Sequence, residues 1–129
     1  MICLTISGDQ ENDPDILAMN GASAALCLSG IPFDGPVGAV RVGLVEGKLI
    51  ANPTSAQKKA SSLELVIAAT EDAVLMVEAG ASEISEEALL EAIAFGHAEC
   101  KKLARASAIW CSGPGSRAGP SRPRRATAS

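Results

Sequence analysis

The chain has 129 residues, of which 47% are hydrophobic but only 2% aromatic, and its formal net charge is −4. This length suits one domain with a core of small aliphatic side chains. No apolar run reaches the roughly 18 residues needed to cross a bilayer, and no basic segment marks a signal peptide. We therefore expect a cytoplasmic protein with no membrane partner.

The first elements along the chain are a strand and a helix. Residues 2–7 predict a short strand. The helix is expected from Pro14 to about Ser29, with Asp13 at the N-cap position and Gly30 as its left-handed stop. Gly21 lowers the stability of a helix interior, so we expect a neighbouring backbone to approach it closely in a buried helix.

Two hairpins follow this helix. Residues 37–45 and 48–53 flank Glu46-Gly47, a favourable two-residue turn, and residues 63–69 and 73–80 form a second hairpin that we expect to be buried on both faces. The polar stretch 55–62 between the hairpins is expected to be a loop. The order strand, helix, two hairpins, helix predicts an α/β domain with mixed strand directions.

The last predicted helix begins after Ser85, whose side chain is a good N-cap. Its expected buried face repeats at helical spacing and consists of Leu90, Ile93, His97, Cys100 and Ala104. In that position His97 is a packed helix residue rather than a general base. The four cysteines form no CxxC pair, which predicts free thiols and no metal site.

A sharp change in charge divides the chain at residue 105. Residues 1–104 hold 6 Lys and Arg against 15 Asp and Glu, whereas residues 105–129 hold five arginines and no acid. The second part is rich in Gly, Pro and Ser, which predicts a disordered tail. Two interpretations remain open: a basic segment that contacts nucleic-acid phosphates, or a terminus without a selected role.

Charged residues at two places are the candidates for function. Asp13 and Asp15 stand at a helix start, where unpaired N–H groups and the helix dipole favour an anion such as phosphate. Arg41 is the only charged residue in its strand. It either caps the sheet edge or pairs with a carboxylate, or it contacts RNA or another subunit.

The strings GASAAL, SGIPF, GPVGAVRVG, NPT, TEDAVLMVEAGA and FGH occur in residues 2–104. In this order and spacing they resemble bacterial polyribonucleotide nucleotidyltransferase, also called polynucleotide phosphorylase. The resemblance implies a ribonuclease PH-like sheet packed with helices. It places residues 1–104 in the later part of the first, non-catalytic ribonuclease PH-like domain, and leaves 105–129 as an Arg/Pro/Gly-rich tail.

The resemblance also implies the activity of the full-length enzyme. That enzyme degrades RNA from its 3′ end, using inorganic phosphate to release nucleoside diphosphates, with Mg²⁺ as cofactor and a homotrimeric ring as its assembly. No DNA partner is implied. The arginine-rich end departs from the family, where the helix continues, so we expect a truncated or frame-shifted gene.

The resemblance also indicates which residues stand where the family's catalytic domain binds phosphate and metal, and these residues do not suit either ligand. The serine run that holds phosphate matches Asp13, Pro14 and Asp15, and the two metal-binding aspartates match Lys58 and Glu64. The resemblance thus implies no catalytic residue and no phosphate, metal or cofactor site in this chain. Glu64 is a lone remnant of the metal site, and Arg41 is the candidate RNA contact.

The expected role is a non-catalytic scaffold and wall of the RNA channel. One alternative is a non-enzymatic assembly or interaction module that docks on a ribonuclease PH-like ring. A second alternative is a small RNA binder with a basic tail.

Overall fold

A computed structural model describes residues 1–112 of the chain. It contains three helices and four strands in these residues. In chain order they are α1 (Pro14–Leu28), β1 (Gly38–Val45), β2 (Lys48–Ala51), α2 (Ser55–Ala60), β3 (Leu63–Ala69), β4 (Val74–Ala81) and α3 (Glu86–Cys111). The predicted α/β class is confirmed.

The four strands form one sheet in the order β2-β1-β3-β4. Both predicted hairpins are confirmed, and the turn between β1 and β2 uses positive φ at Glu46 (50°) and Gly47 (74°), as a tight hairpin turn requires. The β1–β3 and β3–β4 pairings are also antiparallel. The mixed strand directions expected from the sequence are therefore not found among residues 1–112.

Helix α3 covers one face of the sheet and closes the hydrophobic core. Its buried residues recur every four positions and are small: Ala92, Gly96, Cys100 and Ala104. A Cβ added at Gly96 would lie 2.6 Å from Ile67 Cδ1, so the missing side chain allows the helix to approach β3 closely.

The predicted buried face of α3 was therefore partly wrong. Cys100 and Ala104 are buried as expected, and Ile93 packs against the core. Leu90 is 60% exposed and His97 is half-buried. The spacing of apolar residues predicted that bulky side chains would be buried. The helix instead packs close to the sheet, and this close approach buries its small residues.

Three further expectations need correction. Residues 2–7 form no strand, and Ile6 is fully exposed, because no strand in the described part lies beside them. The predicted loop contains α2, which a capping box between Thr54 and Gln57 begins. All eight residues of β4 are exposed rather than buried, because α3, the helix that covers the sheet, packs on β1, β2 and β3.

The helix does not end at residue 105, where the sequence predicted that the disordered tail begins. Helix α3 continues through Cys111, and Arg105 Nη2 lies 2.6 Å from Glu71 Oε1 beside the β3–β4 turn. The rest of the predicted tail, residues 113–129, lies outside the described residues. Within residues 1–112, none of the helices has the length and apolar character that a membrane crossing requires.

Helix α1 is more exposed than expected. Among the residues that the structure describes, it buries only Ile16 and Ser23, and a Cβ added at Gly21 would meet none of their atoms within 4 Å. The close backbone approach predicted for Gly21 is therefore not found in the described part, and hydrogen bonds from Asn20 and Ser23, together with buried Ile16, hold α1 to the sheet.

Candidate functional site at the start of helix α1

The start of α1 places two carboxylates beside the N–H groups of the first helical turn. Asp13 is the N-cap residue, as predicted, but within residues 1–112 its side chain makes no capping hydrogen bond. Asp15 Oδ1 instead accepts a hydrogen bond from the Ile16 N–H at 2.8 Å. A first-turn donor that an external anion would use therefore has a partner within the chain.

Arg41 lies on β1 in the middle of the sheet. Because side chains alternate along a strand, Arg41 points to the face opposite Val40 and Val42, which belong to the α3-facing core. Its guanidinium donates from Nη1 to Glu64 and from Nη2 to Asp15. Arg41 is only 8% exposed, whereas the side chains of Asp15 and Glu64 are each 52% exposed, so water reaches the carboxylates but hardly the cation.

The backbone of Arg41 is fixed by Asn52, the residue directly after β2. The Asn52 N–H donates to the Arg41 carbonyl at 2.6 Å, and Asn52 Oδ1 accepts from the Arg41 N–H at 3.1 Å. Asn52 has a φ of 51°, a left-handed conformation that asparagine tolerates. The asparagine thus continues the strand pairing where β2 has ended.

Lys58 reaches the same cluster from α2. Its Nζ donates to Asp13 Oδ2 and lies 3.5 Å from Glu64 Oε1. The hydrogen bond from Lys58 lowers the pKa of Asp13, and the hydrogen bond to Asp13 raises the pKa of Lys58. Both groups are held in their charged forms at neutral pH.

All five residues singled out from the sequence therefore meet in one place. We call Asp13, Asp15, Arg41, Lys58 and Glu64 the ion-pair network. It contains three carboxylates and two cations, and Arg41 Nη2 also lies 3.7 Å from Asp13 Oδ2. Such an arrangement joins α1, α2, β1 and β3, but it offers no nucleophile with an adjacent base.

The network does not fit a divalent cation. Magnesium needs several oxygen ligands around one position, usually with two carboxylates. Here the Lys58 ammonium and the Arg41 guanidinium both lie against the same oxygen of Glu64, Oε1. A metal ion at Glu64 would face two positive charges within a few ångströms.

Arg41 was also the candidate RNA contact. The structure places its Nη1 and Nη2 on carboxylates and leaves its buried Nε without a hydrogen-bond partner in the described part. The interpretation that Arg41 pairs with a carboxylate matches this geometry. Contact with RNA stays a prediction.

Asn20, which the sequence reading did not single out, ties α1 to the sheet. Its side chain donates to the Ala39 carbonyl at 2.9 Å and accepts from the Ala39 N–H at 2.8 Å. Three residues further along α1, Ser23 Oγ accepts from the Val37 N–H at 2.8 Å. Polar residues facing inward from a helix were the signal that could have revealed these contacts.

An open cleft of about 560 Å³ lies next to the network, between α1 and residues 7–12. Its polar wall includes Asp9, Asp13, Asn20, Arg41 and Asn52. Asn20 and Asn52 already use their side chains to hold β1, and the Arg41 guanidinium already pairs with carboxylates. This wall is poorly suited to a phosphate group.

His97 and Cys100 do not form a metal site with neighbouring ligands. Cys100 is fully buried, and its Sγ lies 3.6 Å from the Ile67 carbonyl. His97 has a buried Nε2 without a hydrogen-bond partner in residues 1–112. In the same range, no group of three or more His, Cys, Asp or Glu residues is arranged to hold a metal ion.

Comparison with known proteins adds the evolutionary relationship. Residues 35–99 match the sequence profile of the "3' exoribonuclease family, domain 2". A polyribonucleotide nucleotidyltransferase from Halothermothrix orenii is 55% identical over 103 residues, which are 80% of this chain and 15% of that protein. The chain thus spans about one seventh of the length of this relative.

Two solved structures have a similar fold. The crystal structure of rice (Oryza sativa) Rrp46 matches with a TM-score of 0.69 and 19% identity, over 80% of this chain and 50% of the other. The crystal structure of C. elegans cell-death-related nuclease 5 matches with a TM-score of 0.54 and 26% identity, over 78% of this chain and 54% of the other.

Proposed function

Because the chain belongs to the 3′ exoribonuclease family, domain 2, we propose that it is a non-catalytic part of a polyribonucleotide nucleotidyltransferase. In this proposal the whole enzyme is cytoplasmic and degrades mRNA from its 3′ end, converting RNA and phosphate to nucleoside diphosphates. The chain contributes scaffold and RNA-channel wall to a trimeric ring. Mg²⁺ and phosphate act elsewhere in that enzyme.

The ion-pair network is the observation that carries this proposal. Asp13 and Asp15 stand at the positions that resemble the phosphate-binding serines, and Asp15 already accepts a helix N–H. A phosphate charge about 4 Å from a carboxylate is repelled by about 4 kcal/mol at the effective dielectric of a protein surface. That cost exceeds the net gain of about 1 kcal/mol from a typical hydrogen bond.

The replaced metal position supports the same proposal. Lys58 stands where the resemblance expects the first metal-binding aspartate, and its Nζ points to Asp13 and Glu64. A tethered ammonium there neutralises carboxylates without the Lewis acidity that a metal ion supplies. The network therefore has a structural role in our proposal, and no reaction step is assigned to it.

An activity assay tests this proposal. The purified chain is incubated with RNA, inorganic phosphate and Mg²⁺, with a full-length polyribonucleotide nucleotidyltransferase as positive control. We expect no release of nucleoside diphosphates above the protein-free reaction. Phosphate-dependent release that disappears in an Arg41→Met variant, with the variant still folded, would overturn the proposal.

A second candidate function is a non-enzymatic module that docks on a ribonuclease PH-like ring. The exposed edge strand β4 favours it, because Leu75 and Val77 are 60% and 45% exposed. Apolar surface along a free strand edge is a common place for another strand to pair. Co-purification with the full-length enzyme, weakened by Leu75→Lys but not by Lys48→Ala, would favour this function.

A further inference from the structure

The edge strand β4 presents backbone groups as well as side chains to its surroundings. The Ser82 N–H donates to the Ser62 carbonyl at 3.0 Å, directly beyond the last residue pair of β3 with β4. Hydrogen-bonded and non-hydrogen-bonded pairs alternate along antiparallel strands, so the N–H and C=O groups of Val77 and Ala79 point away from β3. Among residues 1–112, no strand lies on that side of β4.

The two faces of β4 carry different side chains. Leu75 and Val77 are 60% and 45% exposed, and Val77 stands opposite Ile67 of the core, so both lie on the side of the sheet that faces α3. Glu78 lies on the other face. Residues 74–81 contain neither lysine nor proline, two residues that commonly protect a strand edge from pairing. The edge of β4 is therefore open to another strand.

The part of the chain around β4 is acidic. Residues 60–100, from the end of α2 to the middle of α3, contain nine Asp and Glu residues and no Lys or Arg. Three of these acids pair with cations elsewhere in the chain. The other six are exposed and make no ion pair within residues 1–112: Asp72, Glu78, Glu83, Glu86, Glu87 and Glu91. An apolar strand edge thus lies in a part of the chain whose negative charge is largely uncompensated.

We propose that β4 is a docking edge for an extended segment of another protein in which apolar residues alternate with Lys or Arg. The backbone of this segment pairs with Val77 and Ala79, its apolar side chains lie beside Leu75 and Val77, and its cations lie beside Glu78 on the other face. The inference rests on β4 being the docking surface of the second candidate function, and it adds the chemistry of the partner.

Charge and composition favour this partner over two that the chain itself could supply. A second copy would bring its own Glu78 and the same acidic surroundings to the edge, and like charges on paired strands are destabilising. Residues 113–129 hold four arginines, but they also hold three prolines and no Val, Ile, Leu or aromatic residue. They supply no apolar strand face to lie beside Leu75 and Val77.

The test uses the full chain and a fluorescently labelled synthetic peptide of about ten residues in which Val alternates with Lys. Fluorescence anisotropy measures its Kd, and the same peptide with Glu in place of each Lys is the matched control. We expect the basic peptide to bind at least about tenfold more tightly than the acidic one, with a difference that shrinks as the salt concentration rises from about 50 to about 500 mM. Equal binding of the two peptides at low salt would overturn the proposal.

Variants of the chain test whether the peptide binds at β4. Val77→Lys places a cation on the apolar face, and Ala79→Pro removes an N–H that points away from β3, so each is expected to weaken binding of the basic peptide at least about tenfold. Glu78→Lys is expected to weaken it as well, whereas Glu46→Lys makes the same change of charge in the β1–β2 turn and is expected to leave Kd within about twofold. Circular dichroism checks that each variant is folded. Unchanged affinity in folded Val77→Lys and Glu78→Lys would contradict the proposal.

Further outcomes identify a different occupant. Self-association of the chain without peptide, abolished by Val77→Lys, would assign β4 to a second copy and overturn the proposal. Peptide binding that becomes at least about tenfold tighter when the arginines of residues 113–129 are replaced by serine would assign β4 to that segment, with the same consequence. Co-purification with the full-length enzyme through β4, without any preference for the basic peptide, would support the second candidate function and reject only this inference.

Discussion

Lys58 on α2 donates a hydrogen bond to the carboxylate of Asp13 at the start of α1, although 45 residues separate them in the sequence. The contact brings together a residue at a position that resembles a metal ligand and one at a position that resembles a phosphate ligand. In a catalytic pocket, residues at these two positions would bind the metal ion and the phosphate. Here Lys58 and Asp13 bind each other.

Removing the central cation of the network tests its contribution to stability. Arg41→Met keeps much of the side-chain volume but leaves Asp15 and Glu64 without their guanidinium partner. Loss of a buried cation from its ion pairs is costly, but both carboxylates are about half-exposed and are partly solvated without it, so we expect about 2 kcal/mol less stability. Urea unfolding measures this free energy.

Lys102→Met is the matched control for that variant. Lys102 pairs with Glu99 at 2.6 Å, but its side chain is 71% exposed. Exposed pairs on one helix contribute about 0.3–0.5 kcal/mol. Equal destabilisation by the two variants would show that burial of the network adds nothing.

The pH dependence of stability tests the Asp13–Lys58 pair. The pKa of Asp13 is lowered by the Lys58 hydrogen bond, so its contribution is present above about pH 3.8 and is lost as pH falls through the folded-state value. Asp13→Asn is expected to flatten the loss of unfolding free energy between neutral pH and pH 2, as measured by urea titration. Parallel curves would contradict this.

At alkaline pH, the contribution of Lys58 to stability is lost as pH rises, the reverse of the dependence for Asp13. The pKa of Lys58 is raised by Asp13, so its contribution is present below about pH 10.5 and is lost as pH rises through the folded-state value. A Lys58→Met variant is expected to lose less stability than the original chain between pH 9 and 12. Thermal melts followed by circular dichroism compare the two proteins.

Asn20→Ala tests how α1 is attached to the sheet. The variant leaves both the N–H and the carbonyl of Ala39 without the side chain that pairs with them. We expect a loss of about 2 kcal/mol, because partly buried backbone groups lose their hydrogen bonds. Asn12→Ala, which removes an exposed contact to Asp9, is expected to change stability by less than about 0.5 kcal/mol.

Two glycine substitutions are expected to act in opposite directions. In Gly38→Ala the new Cβ would overlap the Cys100 carbonyl oxygen, a backbone atom of α3, so we expect a loss of about 3 kcal/mol or failure to fold. In Gly21→Ala the new Cβ meets open space within a helix, and we expect a gain of about 1 kcal/mol. Thermal denaturation of both variants gives the comparison.

Local signals in the sequence determined most of the elements. The Asp13-Pro14 start of α1, the Glu46-Gly47 turn and the Ser85 cap depend on neighbouring residues, and each is confirmed. The capping box of α2 was equally local and was overlooked. The residues themselves singled out Asp13, Asp15 and Arg41, and the resemblance to the family added Lys58 and Glu64, before the positions of these five residues in space were known.

Tertiary structure decided which surfaces are buried and where the charges go. Residues 2–7 and β4 carry strand-like sequences, yet residues 2–7 have no strand beside them in the described part, and β4 pairs with β3 but lies outside the surface that α3 covers. The period of apolar residues could not identify the buried face of α3, because the close approach to the sheet depends on small residues such as Gly96. The pairing of Arg41 with Asp15 and Glu64 likewise depends on packing, since side chains far apart in sequence meet only when the helix and sheet are assembled.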